Sequence, residues 1–174
     1  MISRNTQMLV ELLGHAPNFS LPQNFYVSED FHQLDLEHIF YREWLFVGHA
    51  CEIKKPGDFI TVKIGAYPVI ITRGRDQVIR AFHNVCRHRG STLCQGERGQ
   101  SKVLVCPYHA WSFGLDGALR SARLMPEDFR KEDNGLIAAH VRVFHGLIFV
   151  CLSEDEPEAF EATFGEFDPI LDYH

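Results

Sequence analysis

No apolar run approaches the roughly 18 residues that a membrane-crossing helix needs, so no membrane span is expected. Basic residues are not in excess either. Seventeen Lys and Arg stand against 23 Asp and Glu, giving a net charge of −6 and a pI near 5.9. That balance argues against nucleic acid or an anionic membrane as partner. The apolar patch near the start is short and no small-residue cleavage site follows it, so it does not read as a secretory signal. Internal repeats and low-complexity tracts are lacking. The cysteine count is odd, at five, which fits free thiols in a reducing cytoplasm better than a disulfide framework. What remains is a chain of 174 residues with 45% apolar content, enough for one core-forming domain with an appended arm.

Against that background, two short segments stand out. Cys86-Arg87-His88 is followed, after 17 residues, by Cys106-Pro107-Tyr108-His109. Each offers one thiolate and one imidazole, and together they supply four ligands for a metal centre. Structural zinc is the competing reading of two Cys and two His. Zinc modules usually group like ligands, whereas here each segment mixes them.

The rest of the chain reads mainly as short strands. Residues 1–27 carry Pro17, Pro22 and several amides, and are expected to form an irregular arm. Asp35 is placed to cap a short helix with Leu36, Ile39 and Phe40 on one face. Ile60, Val62 and Ile64 alternate with Thr61 and Lys63, the period of a half-buried strand. Trp44 to Val47, Val69 to Ile71, Val103 to Val105 and Leu147 to Leu152 are apolar runs of strand length, and Val78 to Phe82 is another strand-length run broken by Arg80 alone. Asp116-Gly117 signals a hairpin turn between Phe113 and Leu119. Residues 126–135 read as a loop, and a short helix is expected around 157–164 in an acidic tail. The sum is a mostly β, antiparallel domain with one short N-terminal helix.

The stretch His83-Asn84-Val85-Cys86-Arg87-His88-Arg89-Gly90, with Cys106-Pro107-Tyr108-His109-Ala110-Trp111 and Leu115-Asp116-Gly117, resembles the N-terminal Rieske domain of the ring-hydroxylating (Rieske non-haem iron) oxygenase α subunits. Trp44 to His49 and Pro56-Gly57-Asp58 look like upstream elements of the same family, and quaternary ammonium oxygenases such as those of glycine betaine look nearest. The resemblance covers roughly residues 25–155 on pattern alone. It implies an antiparallel β-sandwich with a cluster-binding subdomain inserted as two loops. It also implies a [2Fe–2S] cluster with Cys86 and Cys106 on one iron and His88 and His109 on the other, as in Rieske centres generally. Expected partners are an electron-donating reductase and neighbouring α subunits in a trimer, in the cytoplasm. Respiratory Rieske proteins carry an extra Cys in each loop that forms a disulfide. Ser91 and Tyr108 hold those slots here, which points to the low-potential oxygenase type.

On this resemblance the chain divides into an arm and helix (1–43), a Rieske domain (44–153) and an acidic linker (154–174) toward a catalytic domain. That domain would hold a mononuclear Fe(II) on two His and a carboxylate. No such triad is legible here. His140 and His145 lie in an apparent strand that turns them to opposite faces, and position 137 is Ile. His32/His38 and Asp172/His174 are no better placed. No catalytic residue is assigned, and a stand-alone Rieske ferredoxin is the alternative reading. His83 is expected to be structural, Arg87 and Arg89 to sit at an exposed tip, and Phe40, Trp44 and Phe46 to be core.

Overall fold

The computed structural model describes residues 4–172, and they divide into two compact units, one up to Ile39 and one from Phe40. The first unit is helical: α1 (Arg4–Leu13), α2 (Asn24–Val27) and α3 (Glu29–Asp35). The expected irregular arm is therefore wrong for much of its length. No Pro or Gly interrupts residues 4–13, so a helix can propagate there until Gly14. The expected cap is also displaced. Asp35 ends α3 instead of starting a helix, and the chain runs on as a π-helical turn, Leu36–Phe40. Within this unit Phe25 and Phe31 stack at 4.0 Å, and the Asn24 amide donates to Glu11 at 3.3 Å.

The second unit is built from ten strands in antiparallel pairs. They are β1 (Leu45–His49), β2 (Asp58–Ile64), β3 (Tyr67–Arg73), β4 (Ile79–His83), β5 (Arg98–Gln100), β6 (Leu104–Val105), β7 (Ser112–Phe113), β8 (Leu119–Ser121), β9 (Ala138–Phe144) and β10 (Leu147–Cys151). Seven form one sheet in the order β1-β10-β9-β4-β3-β2-β5, and β6-β7-β8 form a second. The two halves of the large sheet face each other across a core that includes Ile53, Ile60, Val69, Ile71, Ile148 and Val150. The layers of the expected sandwich are thus one curled sheet, joined where β4 pairs with β9.

β3 explains why its sequence runs apolar without alternation. Val69 and Ile71 enter that first core, while Ile70 enters a second one with Phe82, Leu104, Trp111 and Phe113. A strand buried on both faces has no polar side to show. The second core joins the large sheet to the small one and contains both Cys86 and Cys106.

Two hairpin turns are near copies of each other. In Gly74 to Val78 and Gly114 to Ala118 the glycine N–H donates to the carbonyl four residues on, at 2.8 Å in each. Asp76 and Asp116 each accept from the backbone N–H two residues later, at 3.2 Å. Arg80 and Arg120 then close the turns as ion pairs with Asp76 and Asp116. The first turn sets up β4, which leads into the first Cys–His segment, and the second follows directly from the other.

Some expectations fail on this frame. Phe40 and Phe46 are exposed at 42% and 59%, so they are not core. Phe46 lies on the outer face, where Phe149, Phe160 and Phe164 gather under α4 (Phe160–Phe164). Trp44 is half-buried and its indole donates to the Glu158 carbonyl at 2.9 Å. The 126–135 loop contains a 3-10 turn at Lys131–Asn134. β5 was not legible because three exposed polar residues carry no period. Its pairing depends on Gly99, where a Cβ would come within 2.7 Å of the Phe59 ring. A last short helix, α5 (Asp168–Leu171), follows α4 after one 3-10 turn. Among the described residues no helix is long and apolar enough to cross a membrane.

Candidate metal centre

The two Cys–His segments are turns with the same backbone frame. In the first, the Cys86 N–H donates to the Ser91 carbonyl at 2.8 Å and the Gly90 N–H donates back to Cys86 at 3.0 Å. In the second, the Cys106 N–H donates to the Trp111 carbonyl at 2.8 Å and the Ala110 N–H donates back to Cys106 at 3.0 Å. Each frame needs a left-handed residue in its fourth following position. Gly90 has φ of 71° and Ala110 has φ of 58°. A Cβ on Gly90 would meet nothing within 4 Å, so glycine serves the backbone angle there and not a close contact.

A third anchor was missed in the sequence. Asn84 is 2% exposed, and its side-chain amide brackets Cys94: Nδ2 donates to the Cys94 carbonyl at 2.7 Å and Oδ1 accepts from the Cys94 N–H at 2.9 Å. With the Val85–Thr92 bridge, it closes the base of the first loop. The available signal was an amide at the end of an apolar strand, two residues before the first Cys. Buried polar groups of that kind are hydrogen-bonded.

The frames direct backbone N–H groups at both sulfurs. Burial pushes the Cys86 thiol up, while the N–H groups of His88 and Arg89 oppose it. Burial also acts upward on Cys106. There the N–H groups of Tyr108 and His109, and hydrogen bonds from Cys86 and Ser91, win and bring it below the ordinary thiol value. All five cysteines are free thiols. Partial desolvation, then electrostatic repulsion by neighbouring basic side chains including Arg89, lower the His109 imidazole, which favours the neutral form that metals bind.

Rings support both imidazoles. His88 stacks on Trp111, with centroids 4.7 Å apart and planes 11° from parallel. His109 stacks on Tyr108 at 3.8 Å. The two imidazoles meet edge to face at 4.7 Å. All four predicted residues therefore come together: Cys86 and Cys106 are buried, His88 is half-buried and His109 is exposed. His88 Nδ1 is buried without any hydrogen-bond partner. A ring nitrogen so placed fits a metal ligand, since an orphaned polar atom is otherwise costly. Two sulfurs served by N–H donors beside two imidazoles are the donor set of a mixed thiolate–imidazole iron–sulfur centre.

The other candidates sit elsewhere. The His83 ring lies edge to face with Tyr67 at 5.6 Å and burial lowers its pKa. Arg87 and Arg89 are exposed in the first loop. His140 is in β9 with its ring 6.5 Å from Trp44. His145 is in the β9–β10 turn, beyond the strand expected to hold it, and reaches Asp168 at 2.6 Å and Asp172 at 3.7 Å. Among the described residues these three make a metal-sized grouping, but with one imidazole where the iron triad needs two. His174, of the Asp172/His174 pair, lies outside the described residues, as do residues 1–3 of the arm and 173–174 of the tail.

Comparison with known proteins agrees with this geometry. The chain is 46% identical over 141 residues to the glycine betaine monooxygenase oxygenase subunit of Pseudomonas aeruginosa (strain UCBPP-PA14), covering 80% of this chain and 33% of that protein. It is also 46% identical over 135 residues to the large oxygenase component of a naphthalene 1,2-dioxygenase system from Pseudomonas aeruginosa, covering 75% of this chain and 30% of that protein. The solved structure of the quaternary ammonium Rieske monooxygenase CntA with L-carnitine superposes with a TM-score of 0.80 at 37% identity, over 87% of this chain and 44% of that one. The chain spans about a third of the length of these curated relatives. Residues 43–149 match the model of the Rieske [2Fe–2S] domain, and the chain belongs to that family.

Proposed function

We propose that Cys86, His88, Cys106 and His109 hold the [2Fe–2S] cluster, with the sulfurs on one iron and the imidazoles on the other. The observation that carries this assignment is the orphaned, buried Nδ1 of His88 between two loops whose N–H groups face two thiols. When bound, the cluster supplies a one-electron store. Two neutral imidazoles in place of two thiolates remove negative charge and raise its potential above that of a four-Cys cluster. The chain's own residues do the rest. The N–H groups of His88, Arg89, Tyr108 and His109 stabilise sulfur charge, Trp111 excludes water behind His88, and His109 faces solvent.

In this reading the domain relays single electrons within an O₂-dependent oxygenase that hydroxylates or demethylates its substrate at a mononuclear Fe(II) in a separate domain. Residues 1–43 serve as arm, 44–153 carry the cluster and 154–174 lead toward that domain. The electrons come from a reductase. Neighbouring α subunits in the cytoplasm form the receiving assembly; inter-subunit electron transfer named for the quaternary ammonium relative supports that arrangement. Quaternary ammonium compounds are the proposed substrate class, on the glycine betaine and carnitine relatives.

The test is direct. The purified chain, reconstituted with iron and sulfide, should bind iron with acid-labile sulfide, be brown, and bleach on dithionite. Alanine at any of the four ligands should abolish the colour. A colourless, zinc-loaded protein overturns the proposal.

A further inference from the structure

We infer that Arg89 and Tyr108 form a clasp across the two loops that holds the His109 ring in its ligating orientation. This inference rests on the ligand assignment above and concerns two residues that are not ligands.

The two imidazoles are supported unequally. His88, in the first loop, lies against Trp111 of the second, and Trp111 is buried with Phe129 at its edge. A ring fixed in the core fixes whatever lies flat upon it. His109 has no buried ring behind it. Its stacking partner is Tyr108, its own sequence neighbour, which is 57% exposed. An exposed ring has several rotamers to lose, so something else must hold it. The Arg89 guanidinium does so: it comes from the first loop and lies 5.5 Å from the centre of the Tyr108 ring. That is the placement of a cation–π contact.

The supports are therefore reciprocal. The second loop lends Trp111 to the imidazole of the first. The first loop lends Arg89, through Tyr108, to the imidazole of the second. If the loops part, both supports fail together. Arg89 and Tyr108 are positioning residues, and their effect should appear in how firmly the cluster is held and how uniformly it is oriented, not in the stability of the domain.

The reconstituted chain provides the test. Its cluster loss to an iron chelator is followed by visible absorbance, and the reduced cluster by EPR linewidth. Tyr108→Ala and Arg89→Gln should lose the cluster about two- to fivefold faster than wild type, the range an exposed cation–π contact carries. Both should broaden the EPR lines, with thermal midpoints unchanged. Tyr108→Phe keeps the ring and Arg89→Lys keeps the cation, so both should stay near wild type. Arg89→Gln matching wild type in decay and linewidth overturns the clasp, as does Arg89→Lys failing to rescue. Should Tyr108→Ala take up no cluster, the Arg89 pair decides. A wild-type chain that takes up no cluster overturns the ligand assignment instead.

Discussion

The imidazole of His88 lies flat on the indole of Trp111, a residue 3% exposed that also meets Phe129 edge to face at 5.5 Å. Trp111 is thus both a core residue and the back wall of the two Cys–His loops. Trp111→Ala is expected to destabilise the domain by about 3–5 kcal/mol, through lost burial and the cavity left behind. Trp111→Phe keeps a ring against His88 and should lose less. Denaturant midpoints of the two variants check the order.

The left-handed positions give an opposed pair. Gly90→Ala places a Cβ at φ of 71° and should destabilise by about 1–2 kcal/mol. Ala110→Gly relieves the same strain at φ of 58°, offset by the greater freedom of glycine in the unfolded chain. Its net effect should lie between neutral and about 1 kcal/mol stabilising. Thermal unfolding of the two variants should move in opposite directions or leave the second unmoved.

The ion pair in the first hairpin turn makes a pH prediction. The hydrogen bond from Arg80, helped by the Val78 N–H, holds the Asp76 carboxyl at about 2. An unfolded aspartate titrates near about 3.9. A folded value below the unfolded one stabilises the native state fully above the unfolded value. That contribution fades as the pH falls from about 4 toward about 2. Carboxyl NMR should show the low midpoint, and Arg80→Gln should return it upward.

Thiol reactivity should divide the cysteines outside the loops. Cys51 is exposed, whereas burial pushes Cys94 up to about 11. Burial also raises Cys151, whose sulfur donates to the Arg42 carbonyl at 3.1 Å. Since the thiolate is the nucleophile, alkylation near pH 8 should label Cys51 first and spare Cys94 and Cys151 until unfolding. Peptide mass spectrometry reads the order.

His109→Cys should retain a cluster and lower its reduction potential, because a thiolate restores negative charge where a neutral imidazole stood. Voltammetry showing a raised potential contradicts the charge argument.

The two Cys–His loops were legible because the proposed ligand chemistry is local: Cys and His must occur in short, fixed spacings. The strands were legible where one face is buried, as in Ile60, Val62 and Ile64, or where both are, as in Val69 to Ile71. Other features were not. The helix at Arg4–Leu13 runs directly into a stretch with Pro17 and Pro22, whose irregular composition masks it. Phe46 read as core because apolar type does not reveal which face of a sheet is covered. Asn84 and the Arg89–Tyr108 contact depend on residues brought close only by the fold, and no spacing encodes them.

The two loops share one hydrogen-bonded frame, yet the imidazole follows its cysteine by two residues in the first and three in the second. That single step decides which way each ring looks. His88 is turned inward to an indole, and His109 outward to solvent. The centre therefore has a back and a front, written in the sequence as a one-residue shift of His within a turn of constant length.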